Sequence, residues 1–581
     1  MATSRARLAA VAAAALGIGA AGIAQDRPES LLPPGFGDPA PSPTPTVASP
    51  APVGPGVFVQ PLPGVTPTAT PSPGVSPSPS PSPTSTVSPY QLPAFARRSL
   101  AQVGVAQPGV AADAFGAADG RYLEVLMRRL SAPLPSRWLS IALRRVLVAQ
   151  VDTPAGVNGA DFAAERAWLL LRMGESVSAR AVAQGVDTEN VTPKLRQVWM
   201  QAALATADPG GLCPLADTAG TGERGWIVAR AMCAALGGTG KGPALIADVR
   251  RRRVASGIDL QLAQKVSGAA LNSRQAITIE WGPVTELTAW RFGLATATGV
   301  AVPDELYATV GPQVAGWRAL APAIPLAERV APAERAAALG VLSNVALVDL
   351  YSAVADDEAA PGAVRGDAAT LRDAYVGGDR NARLSAMRKL WDGAATPAAR
   401  HARLILTARA AARVVPAPET EGSDRLIASM LTAGLGQSAE RWRGVVPVGG
   451  DGWAMLVLAD ADGRRADPDD YAPTGAASAR KRQLFFAGLA GLGRLSAAQV
   501  EESAASLDVK IGAATPWTRA IDRAVRERQA GTVVLLAAIG MQTSDWTGVP
   551  PEHLYRIVAA LRAVGMEGEA RMIAAEAIAR L

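Results

Sequence analysis

The sequence predicts an all-α protein whose body is a helical-hairpin superhelix, an α-solenoid, and three observations lead there. Ala and Leu dominate, while aromatic residues, which β-strands favour, make up only 5% of the 581 positions. Apolar residues recur at helical spacing, in Tyr122, Leu123, Leu126 and Leu130 and again in Trp138, Leu139, Ala142 and Val146. Helix boundaries are marked repeatedly. A capping hydroxyl precedes a first-turn Pro at Thr192-Pro193, Thr396-Pro397 and Thr515-Pro516, Ser496 to Gln499 fits a capping box, and Gly237-Gly238 and Gly377-Gly378 mark ends.

In chain order, residues 1–24 read as a signal peptide. Arg5 and Arg7 form a basic start, Leu8 to Ala21 is an apolar stretch, and small residues at Gly22 and Ala24 suit cleavage between Ala24 and Gln25. The stretch is too short and Ala-rich for a stable span, which takes about 20 strongly apolar residues. No Cys follows the cleavage position to carry a lipid. Thr532 to Met541 is too short to span and reads as a core helix, so the mature chain is expected to have no membrane span. Export is the expectation, with the periplasm of a Gram-negative bacterium as destination.

Residues 25–96 read as a disordered Pro/Ser/Thr-rich tether. Between Asp38 and Arg97 there is no charged residue, and Ser and Pro alternate from Ser76 to Pro83. Such a segment buries too little apolar surface to offset its ordering entropy. As polyproline II, its roughly 60 uncharged residues would reach about 190 Å. A spacer and a solvated leader fit equally well. Glu29 to Phe36 is more apolar than its surroundings and is a candidate docking peptide.

Residues 97–581 form the helical body, with one candidate subdivision near Gly362. Ala276 to Trp281 is the one convincing strand candidate, and a lone strand is expected to end as extended loop. Trp168, Trp199 and Trp226 recur at intervals near 30, and Gly210 and Gly237 each follow a Trp by eleven residues. Gly174 is followed by Ala179, and Gly565 by Ala570, the interval of a tight helix crossing. These intervals resemble the tetratricopeptide repeat, in which a bulky residue opens one helix, a glycine ends it and small alanines admit the next. The resemblance covers about residues 160–250 and the last thirty, and the Tyr, Phe and Pro positions of that repeat are mostly missing. It implies stacked helical hairpins, each burying its apolar face against its neighbours.

Candidate functional residues are few. In an exported chain the only two cysteines, Cys213 and Cys233, are expected to form a structural disulfide. Trp168, Trp199, Trp226 and Trp290 are either core anchors or the lining of a ligand groove. Arg250, Arg251, Arg252 and Arg253 form the strongest basic run, fitting a helix C-terminus or contact with an anionic surface. Net charge is +6 and evenly spread, with no basic stripe or reader motif, so no nucleic-acid partner is expected.

Several constellations fail on inspection. Gly237 to Gly242 around Lys241 lacks the spacing, the hydroxyl and the preceding strand of a phosphate loop. Asp460, Asp462, Asp467, Asp469 and Asp470 crowd one loop without calcium-loop order, and read as solvated. Ser478 to Lys481 matches the S-x-x-K string of penicillin-recognising enzymes without its companion strings. His401 and His553 have no local partners and are expected at the surface or its boundary. No catalytic residue, cofactor or metal site is expected.

Glu502-Ser503 resembles the catalytic Glu-Ser pair of the superhelical lytic transglycosylases, whose mechanism needs a carboxyl kept protonated as general acid. The Gly-Leu-Met-Gln stretch that accompanies the pair in that family is missing. The leading expectation is a non-enzymatic exported scaffold that binds a protein partner in the cell envelope. The alternatives are a binder of cell-wall polymer, an envelope enzyme of the transglycosylase type, and a purely structural body.

Overall fold

A computed structural model of the chain describes residues 93–217, 222–273 and 276–581. The expected signal peptide with its expected Ala24–Gln25 junction, the Glu29–Phe36 candidate peptide and nearly all of the expected tether lie outside the described residues. Within them the fold is all-α, with 26 α-helices and a single pair of two-residue strands, Gln102–Val103 against Val151–Asp152. Ala276 to Trp281 is extended loop.

The boundary signals act as their chemistry requires. Thr192 accepts from Leu195 N and Thr396 from Ala399 N, while Thr515 and Ser496 each complete a capping box, so the open N–H groups of these first turns find acceptors. Gly174 ends Gly159–Arg172 at φ +89° and turns the chain into Ser176–Ala183. Gly565, at φ +84°, does the same between Pro551–Ala563 and Glu567–Ala579. Ala179 and Ala570 are fully buried where the paired helices cross. Gly174 has a further duty: a Cβ on the facing Gly316 would sit 2.5 Å from its carbonyl oxygen.

Short connections fold consecutive helices against one another, and the hairpins gather into successive lobes over residues 120–320, 326–411 and 423–579. The middle lobe carries an apolar core of its own, with Ala336, Leu347, Tyr351, Leu371 and Ile405, while a larger core runs through all three lobes and takes in Met387, Trp391 and Leu404 of the middle one. Gly362, the candidate subdivision point, opens Gly362–Val376, which packs on Asn344–Ala355. Ala530–Gly540, containing the apolar stretch from Thr532, is buried almost throughout. Among the described residues no helix is long and apolar enough to cross a membrane.

The array then closes on itself around one helix, Arg137–Val148. Ala530–Gly540 and Glu567–Ala579, near the C-terminus, both pack on it, as do Gly159–Arg172 and Ser176–Ala183. The buried Arg137 side chain donates to Leu342 O at 3.2 Å, to Thr432 O at 3.3 Å and to Ala337 O, so one guanidinium ties the middle and last lobes to the first. Arg144 adds a bond to Gly340 O at 2.9 Å. The same device recurs. Arg166 donates to Ala149 O and Val103 O, Arg172 to Met127 O and Leu130 O, and Arg494 to Asp460 O and Val457 O. Each fork satisfies carbonyls that helix or strand ends leave open, a geometry that a point-charge Lys does not reproduce.

Candidate functional site

The site grows from the first residues of the hub helix. Ser136 caps Arg137–Val148, which turns Trp138 outward, half-buried, while Leu139, Ala142 and Val146 enter the core. The indole forms one wall of a cavity of about 740 Å³, with Leu456 and Met572 as further apolar lining. Gly434 makes room for it: its φ is +73°, and a Cβ there would lie 3.3 Å from Trp138 Cη2. Both the left-handed backbone and the close approach favour glycine at this point.

Around this apolar wall stand Glu440, Asp460, Asp462 and Glu569, and every one meets a guanidinium. Arg443 Nη2 donates to Glu440 at 2.8 Å and Arg464 Nη1 at 2.9 Å. Arg464 also pairs with Asp462 at 3.1 Å, and Arg145 with Glu569 at 3.2 Å. Asp460 is 5% exposed; its Oδ1 accepts from Asp462 N, and its Oδ2 lies 3.6 Å from Arg443 and 3.8 Å from Arg464. Arg571 anchors the edge through Ala459 O at 3.1 Å. Burial pushes the Glu440 carboxyl up, but the hydrogen bonds from Arg443 and Arg464 outweigh it and hold the group below its usual range. A general acid needs the opposite shift. The arrangement is therefore suited to recognition: an apolar wall inside a rim of matched, oriented charges.

The carboxyls that burial does raise are Glu124, Glu175, Glu334 and Asp424. They belong to internal networks. Glu124 and Glu165 share Arg128 and Lys194 between three helices, Glu175 is held by Arg144, and Glu334 by Arg403 and Tyr351. Asp424 accepts from Gly452 N.

The sequence candidates fall elsewhere. Trp168, Trp199, Trp226 and Trp290 are all at most 4% exposed and fill gaps between helices, as core anchors would, while Trp199 also lines the edge of a cavity of about 590 Å³ beside Arg98, Arg180 and Asp208. Their polar edges are engaged internally, Trp199 Nε1 with Gly211 O at 2.8 Å and Trp290 Nε1 with Asp259 O at 3.2 Å. Cys213 and Cys233 are joined as a disulfide, fastening the short helix Cys213–Ala216 to Arg224–Leu236. Arg250 to Arg253 are exposed at and just beyond the C-terminus of Gly242–Arg251, where Arg251 and Arg252 pair with Asp248.

Lys241 lies in an exposed turn. Lys481 of the S-x-x-K string is buried and salt-bridged to Asp451 at 2.5 Å, beside the Tyr471 hydroxyl on the same carboxylate, so the string is part of the packing. In the Asp-rich loop Asp467 caps a short 3₁₀ turn, and among the described residues no cluster of three or more His, Cys, Asp or Glu side chains is placed to hold a metal ion. Glu502 is exposed on Ala497–Ser506, a helix with no buried residue, and so lacks the cleft a transglycosylase acid needs. His553 sits at the boundary, its ring 4.5 Å from that of Trp517 and its Nδ1 2.7 Å from Gly540 O. His401 departs from expectation. It is 3% exposed, and neither ring nitrogen has a hydrogen-bond partner.

Sequence reasoning missed Trp138 as a site residue, placing it in the apolar stripe. Its neighbours at the cavity come from segments near residues 434, 456 and 572, far along the chain. In comparisons with known proteins, no family model, no curated protein and no solved structure matches this chain.

Proposed function

We propose that the protein is an exported, non-enzymatic helical scaffold that binds a protein partner in the cell envelope, with the Trp138 cavity receiving a segment of that partner. The observation that carries this reading is the cavity's composition. An indole with Leu456 and Met572 beside it, ringed by carboxylate–guanidinium pairs, combines an aromatic anchor with the Arg-rich polar rim of protein-recognition surfaces. The burial of the four other Trp residues supports the same reading, because a polymer-binding groove needs its aromatic faces open. Arg145, Arg443 and Arg464 keep the rim anionic groups compensated, which suits selection among polar peptide segments better than bulk charge attraction.

The test is crosslinking and capture from intact envelopes, using the full chain, a chain lacking residues 30–96, and the full chain with Trp138→Ala. One protein captured by the first two and lost with the third supports the scaffold reading. Recovery of cell-wall material alone, or capture that needs residues 30–96, contradicts it.

A further inference from the structure

A second concave region lies where the three lobes meet, and its charge balance is unlike that of the Trp138 cavity. A cavity of about 540 Å³ is walled by the loop from Ser131 to Pro135, by Arg335 and Leu339 of the middle lobe, and by Gln542 to Ser544 and Arg580 of the last. A second cavity of about 290 Å³, lined by Tyr307 and Arg318, shares Pro312 and Arg335 with it, so the two form one trough. No carboxylate lines either part.

The three guanidiniums in this trough are weakly compensated. Arg335 is exposed and has no ion pair among the described residues. Arg318 stacks on Tyr307, 3.8 Å from the ring centroid, and its buried Nε has no acceptor. Its one ion pair is a 3.8 Å contact with Asp304, whose side chain is 94% exposed. Arg580 is largely buried and reaches Glu576 only at 3.4 Å, while that carboxylate already serves three closer donors. Thr543 and Ser544 donate to Asp545, which leaves the Ser131 hydroxyl as the neutral donor at the rim. Guanidiniums that are unpaired or held only by distant or exposed carboxylates make a receptor for an oxyanion, because their forked N–H groups match phosphate and carboxylate oxygens.

We propose that this trough binds a small oxyanionic ligand, a phosphate or carboxylate compound, with Arg335, Arg318 and Arg580 as its cationic contacts. Such a ligand would touch all three lobes at once and so favour their closed arrangement. The proposal is independent of the Trp138 cavity. Titration calorimetry of the full chain with inorganic phosphate and, separately, with citrate, in chloride of matched ionic strength, tests it. Saturable binding of either anion is expected, and its identity assigns the class. Arg335→Gln should weaken it about tenfold, the loss of one charge-assisted contact. Arg335 bonds to nothing else, so this variant should melt like the parent. Arg251→Gln in the exposed basic run should leave binding unchanged. No saturable binding with either anion, or binding that survives Arg335→Gln and falls with Arg251→Gln, overturns the proposal.

Discussion

Replacing Glu576 with Ala should loosen the closure of the helical array more than any other change to a single C-terminal side chain. The carboxylate accepts from Ser136 Oγ at 2.7 Å, from Arg137 N at 2.9 Å, from Trp138 N at 3.2 Å and from Arg580 Nη1 at 3.4 Å. Ser136 already takes Leu139 N, so together the two residues satisfy the open first turn of the hub helix. A carboxylate there also opposes the positive end of the helix dipole. Alanine would leave two backbone N–H groups without acceptors, at about 1–3 kcal/mol each when buried. It would also leave Arg137 and Arg580 uncompensated, and only part of this is returned by no longer desolvating the carboxylate. The net expectation is a loss of about 3–5 kcal/mol, the range for breaking a buried pair. Glu576→Gln keeps an acceptor and should lose roughly half as much. Guanidinium unfolding followed by circular dichroism reads the stability, and hydrogen exchange of peptides from 136–148 reads the site. Equal stability of Glu576→Ala and the exposed control Glu502→Ala, with unchanged exchange in 136–148, would refute the reasoning.

Two further perturbations follow from the same interior. Burial, reinforced by the charges of Arg580 and Arg137, holds His401 well below its ordinary value of 6.5, so the folded protein keeps it neutral while the unfolded chain protonates. Its contribution is complete above pH 6.5 and is lost as pH falls below it, by about 1.4 kcal/mol at one pH unit below. His401→Leu should flatten that part of the stability-versus-pH curve and, by removing two unpartnered nitrogens, leave stability at neutral pH equal or higher; an unchanged slope between pH 5 and 7 contradicts this. Reducing the Cys213–Cys233 disulfide, or Cys213→Ser, should cost about 3 kcal/mol by the chain-entropy account of a 20-residue separation. Coincident unfolding curves with and without reductant would show that the bridge constrains nothing.

Local chemistry was readable before the structure. The Thr-Pro starts, the Ser496 capping box, the glycine turns with their buried alanines and the cysteine pair all depend on residues within a few positions of one another, or on there being only two cysteines. The closure was not readable, because its determinants are single residues at great separation. Glu576 looks like any carboxylate in an Ala-rich helix, and its partners are at 136–138. In the fold, the buried arginines bind carbonyls left open at element ends. His401 belongs to the same class: its burial comes from the lobes meeting over it, which no periodicity within Pro397–Ala411 announces. Trp138 and the Trp168 set share a residue type and a helical setting, and only tertiary packing leaves Trp138 half-buried at a cavity while the others are buried to 4% exposure or less.

The most direct test of the scaffold account is a photo-crosslinking residue placed at Gln437, on the lining of the Trp138 cavity, in the full chain within intact envelopes, beside the same residue at the exposed Arg251. The account predicts one discrete protein adduct at 437 that is lost with Trp138→Ala and absent at 251. Cell-wall fragments at 437, or the same adducts from both positions, would contradict it.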